Sequence, residues 1–327
     1  MRTIVLPGTD IETSSLGFGC AALFRVPGRK DRRRLLETAY SEGIRHFDVA
    51  PIYGLGAAER ELGAFARRRR DQLVIATKFG IEPSRTVGRL SFIQGPVRRL
   101  IRAFPSLREH AQTRKAGLYK PRRYDAASAR ASLERSLREL GTDRVDLLFL
   151  HEPQLSDVRT EEVAAYLEDA RREGHIRAWG VAGEPGPSLE VAQAFPVPVP
   201  ILQLPNNILV RTLDRLTRNA PKAQITFGAL ASTLGVVLAH VRADSDRTRR
   251  WAETVVADCS VPDTVASLLL RYALRANSAG VVLFSTTHGE RIPRATAAAV
   301  DDPTAPDPTL DAFLRLVDAE LMAPPPP

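Results

Sequence analysis

The chain has 327 residues, of which 44% are hydrophobic, and its formal net charge is +8. This length allows one large barrel or two domains of medium size. The sequence contains no apolar run of 18 residues, no N-terminal secretory signal and no zinc or disulfide pattern around its two cysteines. These absences exclude a membrane-spanning or disulfide-stapled protein, and they predict a cytoplasmic one.

The positive charge is concentrated in one segment, residues 79–124. This segment holds eleven lysines and arginines and two acidic residues, a net charge of +9, so the rest of the chain is close to neutral. No nucleic-acid-binding motif accompanies the charge, so we predict no nucleic-acid partner. We interpret the segment as a basic insertion loop with a short helix at 95–104. Its arginines either select an acidic substrate or are simply solvated.

Short apolar runs alternate with amphipathic stretches along the chain, after a hairpin at residues 3–14. The predicted strands are 15–20, 44–50, 73–80, 145–153, 175–183, 199–207, 224–230 and 280–287. The predicted helices are 31–43, 56–68, 124–141, 160–174, 188–195, 261–277 and 307–322. Residues 323–327 are predicted to form a disordered tail.

This alternation predicts an α/β fold, a (β/α)8 TIM barrel, in one domain spanning residues 1–327. The apolar runs LLFL and VVLF are typical of parallel strands that are buried on both faces. A doubly wound sheet is the alternative, but GFGCAA (17–22) does not match the G-x-G-x-x-G fingerprint of that fold. We therefore predict a barrel with an N-terminal β-hairpin and a long basic insertion after its third strand.

Polar residues follow three of the predicted strands, at the end of the barrel where chemistry occurs. Asp48, Lys78 and His151 each come directly after an apolar run, and Tyr53 lies in the loop beyond Asp48. Alone, Asp48 could cap a helix, Lys78 could be solvated and His151 could be a core histidine. Together they predict a proton-transfer site, because a neighbouring ammonium group lowers the pKa of a tyrosine and stabilises its phenolate.

The segments FDVAPIYG, ATKFG and LLFLHEP resemble three signature segments of the aldo-keto reductase superfamily. The resemblance implies a catalytic tetrad of Asp48, Tyr53, Lys78 and His151, a (β/α)8 barrel, and NADPH or, less often, NADH as cofactor. It also implies a reductase that interconverts an aldehyde or ketone with its alcohol. We predict Tyr53 as the general acid and base, and no metal site.

The resemblance also implies cofactor-binding positions after the later strands. These are Gln203, Phe227, Gly228, Leu230, Ser285, Thr286 and Arg291. Gln203 and Phe227 could instead be barrel-interior residues, and Arg291 could be a solvated helix residue. The chain departs from the family pattern at Ala182–Gly183, where a serine and an asparagine normally bind the nicotinamide carboxamide.

The substrate pocket is predicted from the loops at the same end of the barrel. Its candidate residues are Phe24, Ile52, Leu55 and Phe79. The expected partner is a small carbonyl compound or a sugar, and the sequence gives no basis for an oligomeric state. Two alternative functions remain open: a sugar dehydrogenase that works oxidatively with the same tetrad, and a nucleotide-binding sensor or regulatory subunit with weak catalysis.

Overall fold

The structure is a computed structural model that describes residues 1–83, 122–216, 220–221 and 223–322. The chain begins with an antiparallel hairpin of β1 (Thr3–Val5) and β2 (Glu12–Ser14), as predicted. Leu6 and Ile11, which join these two strands, are fully buried and pack with the apolar residues inside the barrel. The hairpin therefore closes one end of the barrel, and the site must open at the other.

Eight parallel strands form a closed barrel, which confirms the predicted fold class. The strands are β3 (Leu16–Gly19), β4 (His46–Asp48), β5 (Val74–Phe79), β6 (Leu147–His151), β7 (Ala178–Ala182), β8 (Ile201–Pro205), β9 (Ala223–Phe227) and β10 (Val281–Phe284). Neighbouring strands pair in chain order, and β10 closes the barrel by pairing with β3. Closure leaves no unpaired sheet edge in this part of the chain.

The helices follow the strands and cover the outside of the barrel. They are α1 (Arg29–Ser41), α2 (Ala58–Ala66), α3 (Ala126–Leu140), α4 (Thr160–Arg172), α5 (Pro185–Ala194), α6 (Ala231–Arg242), α7 (Ser245–Val255), α8 (Pro262–Ala276), α9 (Arg291–Ala297) and α10 (Pro308–Val317). The ends of α3 show why it forms there. Asp125 accepts a hydrogen bond from the Ser128 amide at its start, and Gly141 ends it with a left-handed φ of 66°.

Side-chain alternation along the strands separates two apolar layers. Residues such as Phe47 and Leu150 point outward and pack under the helices. Residues such as Ala76 and Phe149 point into the barrel. Because successive residues of a strand face opposite sides, the last inward-facing position of each strand lies at the open end of the barrel. This parity decides which of the predicted site residues reach the cavity.

A third apolar cluster lies beside the barrel, where α6, α7, α8 and α10 pack together around Trp251 and Phe313. Helix α7 was not predicted from the sequence. Its buried residues are Trp251 and Val255, too few to give a helical pattern, and the helix depends on the Asp244 side chain, which accepts hydrogen bonds from two amides at its start. No helix in the described ranges is long and apolar enough to cross a membrane. The predicted helix at 95–104, most of the basic insertion and the tail at 323–327 lie outside the described residues.

Candidate active site

Inward-facing side chains from three strands meet at the open end of the barrel. Asp48 ends β4, Lys78 is the inward-facing residue near the end of β5, and His151 ends β6. All three are buried, with exposed fractions of 3%, 2% and 9%. Burying charged groups so close together costs free energy unless each has a partner. The contacts among these side chains therefore decide what the site can do.

Lys78 is the centre of the hydrogen-bond network. Its Nζ donates to Asp48 Oδ1 at 2.6 Å, to the Val49 carbonyl at 3.2 Å and to the Tyr53 hydroxyl at 3.3 Å. An ammonium group has three protons, so these contacts use its full donor capacity. The three acceptors fix the charge of Lys78 beside the Tyr53 oxygen.

Tyr53 reaches this network from the loop after β4. Its amide donates to the Ala50 carbonyl at 3.0 Å, and the two residues that follow, Gly54 and Leu55, have positive φ values of 59° and 55°. A Cβ atom at Gly54 would lie 2.5 Å from the Phe24 ring. The tight turn therefore requires glycine at this position and aims the phenol into the barrel mouth.

The structure corrects one expectation about Tyr53. Burial raises the pKa of Tyr53 above its ordinary value of 10, and the opposing effect of Lys78 is smaller. Lys78 does lower this pKa, as predicted, but burial outweighs it and the net pKa is raised, because a sequence does not reveal how strongly a group is desolvated. The phenol stays protonated at neutral pH and is ready to act as a proton donor.

His151 presents a neutral imidazole beside Tyr53. The two ring centroids lie 6.1 Å apart in an edge-on arrangement. Burial lowers the pKa of His151 to about 3, and the charges of Lys78 and Arg122 contribute in the same direction. The Tyr124 hydroxyl donates to the His151 carbonyl and so holds the end of β6 in place. A neutral imidazole can donate one hydrogen bond to a bound ligand without carrying charge.

Two buried histidines predict that the protein loses stability in acid. Burial lowers the pKa of His46, which is fully buried, to about 4, and that of His151 to about 3, from an ordinary value of 6.5. Since both values are lowered, the unfolded chain binds these protons more tightly. The contribution of the two neutral histidines to the free energy of unfolding is fully present above about pH 6.5. It is lost as the pH falls towards 4 for His46 and towards 3 for His151. We expect each histidine to cost about 2 kcal/mol of unfolding free energy between pH 7 and pH 5.

Urea unfolding at pH 7 and pH 5 measures this loss. The variant His46→Leu should lose roughly half as much stability over the same interval as the parent, because one of the two histidines is gone. Equal losses in the parent and in His46→Leu would contradict the assignment to His46.

Gln203 lies on β8 and lines the same cavity as Tyr53. Its Nε2 donates to Asp48 Oδ2 at 2.9 Å. Because a carboxylate only accepts, this contact fixes the amide orientation and leaves Gln203 Oε1 as an acceptor. That oxygen is buried and has no hydrogen-bond partner among the described residues. A primary amide on a ligand, such as a nicotinamide carboxamide, fits this acceptor.

Four of the other predicted cofactor residues line the cavity, and two do not. Phe227, Gly228, Leu230 and Ser285 line the same cavity as Gln203. The Thr286 hydroxyl instead takes part in a local turn, accepting from the His288 amide at 3.1 Å. Arg291 is exposed at the start of α9, outside the cavity wall. The cofactor roles of all these residues stay predictions.

The predicted substrate-pocket residues lie near the cavity without lining it. Phe24 packs under Gly54 and carries the Arg32 guanidinium 4.3 Å from its ring centroid. Ile52 and Leu55 are half-buried in the Tyr53 loop. Phe79 is fully buried in the outer layer against Tyr124, since it follows the inward-facing Lys78. Their role in substrate binding stays a prediction.

The cavity at the open end of the barrel has a volume of about 360 Å³. Several of its lining residues were not predicted from the sequence, namely Gly19, Ala21, Glu152, Leu270, Leu283 and Phe284. Strand parity could have found Gly19 and Leu283, which occupy inward-facing positions on β3 and β10. Leu270 comes from the middle of α8, and no local pattern indicates that it reaches the site.

The chain belongs to the aldo/keto reductase family, whose family model matches residues 15–302. The match spans the whole barrel, from β3 through α9. Members of this family are oxidoreductases that use nicotinamide cofactors, and their substrates are small carbonyl compounds or sugars. The resemblance read from FDVAPIYG, ATKFG and LLFLHEP is thereby confirmed.

Curated relatives give partial matches. The chain is 35% identical over 179 residues to a D-threo-aldose 1-dehydrogenase from a Pseudomonas species, covering 51% of this chain and 49% of the relative. It is 28% identical over 222 residues to the aldo-keto reductase YhdN of Bacillus subtilis, covering 65% of this chain and 56% of the relative. The chain thus spans about half the length of these relatives.

Solved structures share the fold over almost the whole chain. The holo form of an aldo-keto reductase from Bacillus halodurans superposes with a TM-score of 0.71 at 20% identity, covering 97% of this chain and 96% of that one. An aldo-keto reductase from Klebsiella pneumoniae in complex with NADPH superposes with a TM-score of 0.65 at 18% identity, covering 99% and 96%. At such identities the likeness supports the barrel fold alone.

Proposed function

We propose that the protein is an NAD(P)-dependent oxidoreductase that interconverts an aldehyde or ketone with its alcohol. The observation that carries this proposal is the chain of contacts from Asp48 through Lys78 to the Tyr53 hydroxyl, at 2.6 and 3.3 Å, at the floor of the cavity. A proton donor held beside a fixed cation suits a reaction in which a carbonyl oxygen gains negative charge.

Tyr53 is the proton donor in the reducing direction. Burial keeps its hydroxyl protonated, and its oxygen already accepts from Lys78, so its own proton is available to a substrate oxygen. When that proton leaves, the phenolate forms 3.3 Å from an ammonium group that is already in place. The charge of Lys78 therefore favours the product of proton transfer without further rearrangement.

His151 and Asp48 support this step in different ways. The neutral His151 imidazole orients the carbonyl by donating a hydrogen bond, which a buried histidine with a pKa of about 3 can do throughout the physiological pH range. Asp48 holds Lys78 through Oδ1 and Gln203 through Oδ2. One carboxylate thereby couples the proton-donor side of the cavity to the side that we assign to the cofactor.

A bound NADPH or NADH would supply the hydride. Gln203 Oε1 is the buried acceptor for its carboxamide, Phe227 offers an aromatic face, and Ser285 lies at the end of the cavity beyond β10. Ala182 and Gly183, which replace the serine and asparagine of the family pattern, offer no side-chain hydrogen bonds to the carboxamide. We assign NADPH as the preferred cofactor because Arg291 follows the β10 strand and suits the adenosine 2′-phosphate.

Fluorescence titration of the purified protein with NADPH and NADH tests this function, together with NADPH consumption on a panel of aldehydes. We expect saturable binding and consumption that depends on an aldehyde. A protein that binds neither nucleotide would contradict the proposal.

The variant Arg291→Ala should weaken NADPH binding about 10- to 100-fold and leave NADH binding within twofold, because only NADPH carries the phosphate. The fluorescence titration measures both dissociation constants. The matched control is Arg294→Ala, which removes an exposed arginine of the same helix that pairs with Asp263. Equal losses for NADPH and NADH in Arg291→Ala would contradict the assignment of Arg291.

A second candidate is a sugar dehydrogenase that oxidises an aldose with the same four residues. The 35% identity to a D-threo-aldose 1-dehydrogenase favours it. In this direction Tyr53 must accept the proton of the substrate hydroxyl, so its raised pKa makes the reaction faster as the pH increases. Comparing aldose oxidation with NAD⁺ or NADP⁺ against aldehyde reduction by the same preparation separates the two candidates.

A further inference from the structure

Glu152 occupies an unusual backbone position at the cavity wall. It directly follows His151, lines the cavity and has a positive φ of 52°. Residues other than glycine rarely adopt such a conformation, and when they do it must be held by their surroundings. Two contacts hold it here: its amide donates to the Ala182 carbonyl at 2.6 Å, and its own carbonyl accepts from Arg122 at 2.8 Å.

The neighbouring strand makes room for this conformation. A Cβ atom at Gly183 would lie 3.0 Å from the Glu152 Cα atom and 3.2 Å from Ser188 Oγ. An asparagine side chain does not fit at this position without moving the Glu152 backbone. Glycine at position 183, where the family pattern has asparagine, therefore allows the Glu152 backbone to approach this closely.

The Glu152 side chain is oriented by the same arginine that holds its backbone. Arg122 Nη2 donates to Glu152 Oε2 at 3.0 Å, and the two side chains are 41% and 52% exposed. The ion pair leaves carboxylate lone pairs free to accept further hydrogen bonds at the mouth of the cavity. Its opposite charges also cancel at this rim, so Arg122 does not act as a free cation towards an approaching anion.

Among the other polar groups of the cavity, several donors are already used, whereas acceptors remain available. Lys78 has used all three of its protons, and the Ser285 hydroxyl donates to the Gly19 carbonyl at 2.8 Å. Glu152 and Gln203 Oε1 are acceptors with capacity to spare, whereas Tyr53 keeps one proton for the reacting oxygen. Much of the remaining wall is apolar. A ligand that fits these walls must bring hydrogen-bond donors of its own.

We propose that Glu152, held by Arg122, is a specificity-determining residue that selects neutral hydroxylated aldehydes and their alcohols over unhydroxylated and anionic ones. This inference rests on the proposed function. Because Glu152 lines the same cavity as Tyr53 and His151, we assign its carboxylate as the acceptor for hydroxyl groups of the substrate. A carboxylate on the substrate finds no free cation at this place, because Glu152 already neutralises Arg122.

The test compares Glu152→Gln with the parent on matched aldehydes. Glutamine keeps the shape of the side chain and an oxygen for Arg122 but removes the negative charge. The ratio of kcat/KM for glyceraldehyde to that for propanal should fall about tenfold, as expected for the loss of one charge-assisted hydrogen bond. The ratio for succinic semialdehyde to butanal should rise, because Arg122 is no longer neutralised.

Controls separate the possible failures. Glu161→Gln, at an exposed position in the first turn of α4, should leave both ratios unchanged. Unchanged ratios in Glu152→Gln, with a parent that reduces all four aldehydes, would overturn the role of Glu152 alone. A weaker NADPH affinity that accounts for the whole effect would also overturn it, by making Glu152 a cofactor contact. A parent that reduces none of the aldehydes would overturn the proposed function and this inference together.

Discussion

Replacing Tyr53 with phenylalanine should lower kcat/KM for carbonyl reduction about 10²- to 10⁴-fold while leaving NADPH binding unchanged. The substitution removes the hydroxyl group whose proton the substrate oxygen receives, and it keeps the aromatic ring. Lys78 keeps its contacts with Asp48 at 2.6 Å and with the Val49 carbonyl at 3.2 Å, so the charge of the site stays partnered. Steady-state kinetics and a fluorescence titration on one preparation give both quantities.

The matched control is Tyr40→Phe. Tyr40 donates its hydroxyl proton to Gln72 at the surface, away from the cavity, so its loss should not affect turnover. A Tyr53→Phe variant as active as the Tyr40→Phe control would mean that another group, or a bound water molecule, protonates the substrate.

Replacing Lys78 with methionine should abolish turnover and also destabilise the fold by about 3–5 kcal/mol. Lys78 and Asp48 are almost completely buried, with side-chain exposures of 3% and 4%. Removing the ammonium group leaves Asp48 as a buried carboxylate whose remaining side-chain donor, among the residues that the structure describes, is Gln203. Urea unfolding measures the free-energy loss, and the kinetic assay measures the loss of activity.

A double variant separates charge from shape at this pair. Asp48→Asn combined with Lys78→Met removes both charges, so it should recover much of the lost stability without recovering activity. The exposed pair Arg60–Glu139 provides the comparison, because Arg60→Met should cost less than about 1 kcal/mol. If Lys78→Met were as stable as the parent, the buried pair would not contribute to folding as we describe.

The barrel and the polar strand ends could be predicted from the sequence because both follow from simple periodicities. Alternating apolar runs and amphipathic stretches indicated eight strands, and the barrel rule directed attention to Asp48, Lys78 and His151. The structure joins Asp48 and Lys78 to Tyr53 by hydrogen bonds and places the His151 ring edge-on to the Tyr53 ring. The residue types of the four side chains were enough to predict a proton-transfer site without any distance.

The features that could not be predicted depend on packing between distant parts of the chain. The net pKa of Tyr53 depends on how deeply it is buried, which no residue pattern reveals. Glu152 is an ordinary charged residue in the sequence, and the role that we propose for it rests on its backbone conformation and its contact with Arg122. Phe79 shows the opposite case, since parity with Lys78 already places it in the outer layer.

Transfer of deuterium tests the central claim most directly. The protein is incubated with glyceraldehyde and with NADPH that carries deuterium at C4, using each of the two C4 epimers in turn. We expect one epimer to give an alcohol with deuterium on the former carbonyl carbon. We expect Tyr53→Phe to form this product about 100-fold more slowly or slower still, the loss typical of a missing general acid. Absence of deuterium from the alcohol with both epimers, or deuterium transfer at the same rate in Tyr53→Phe, would contradict this claim.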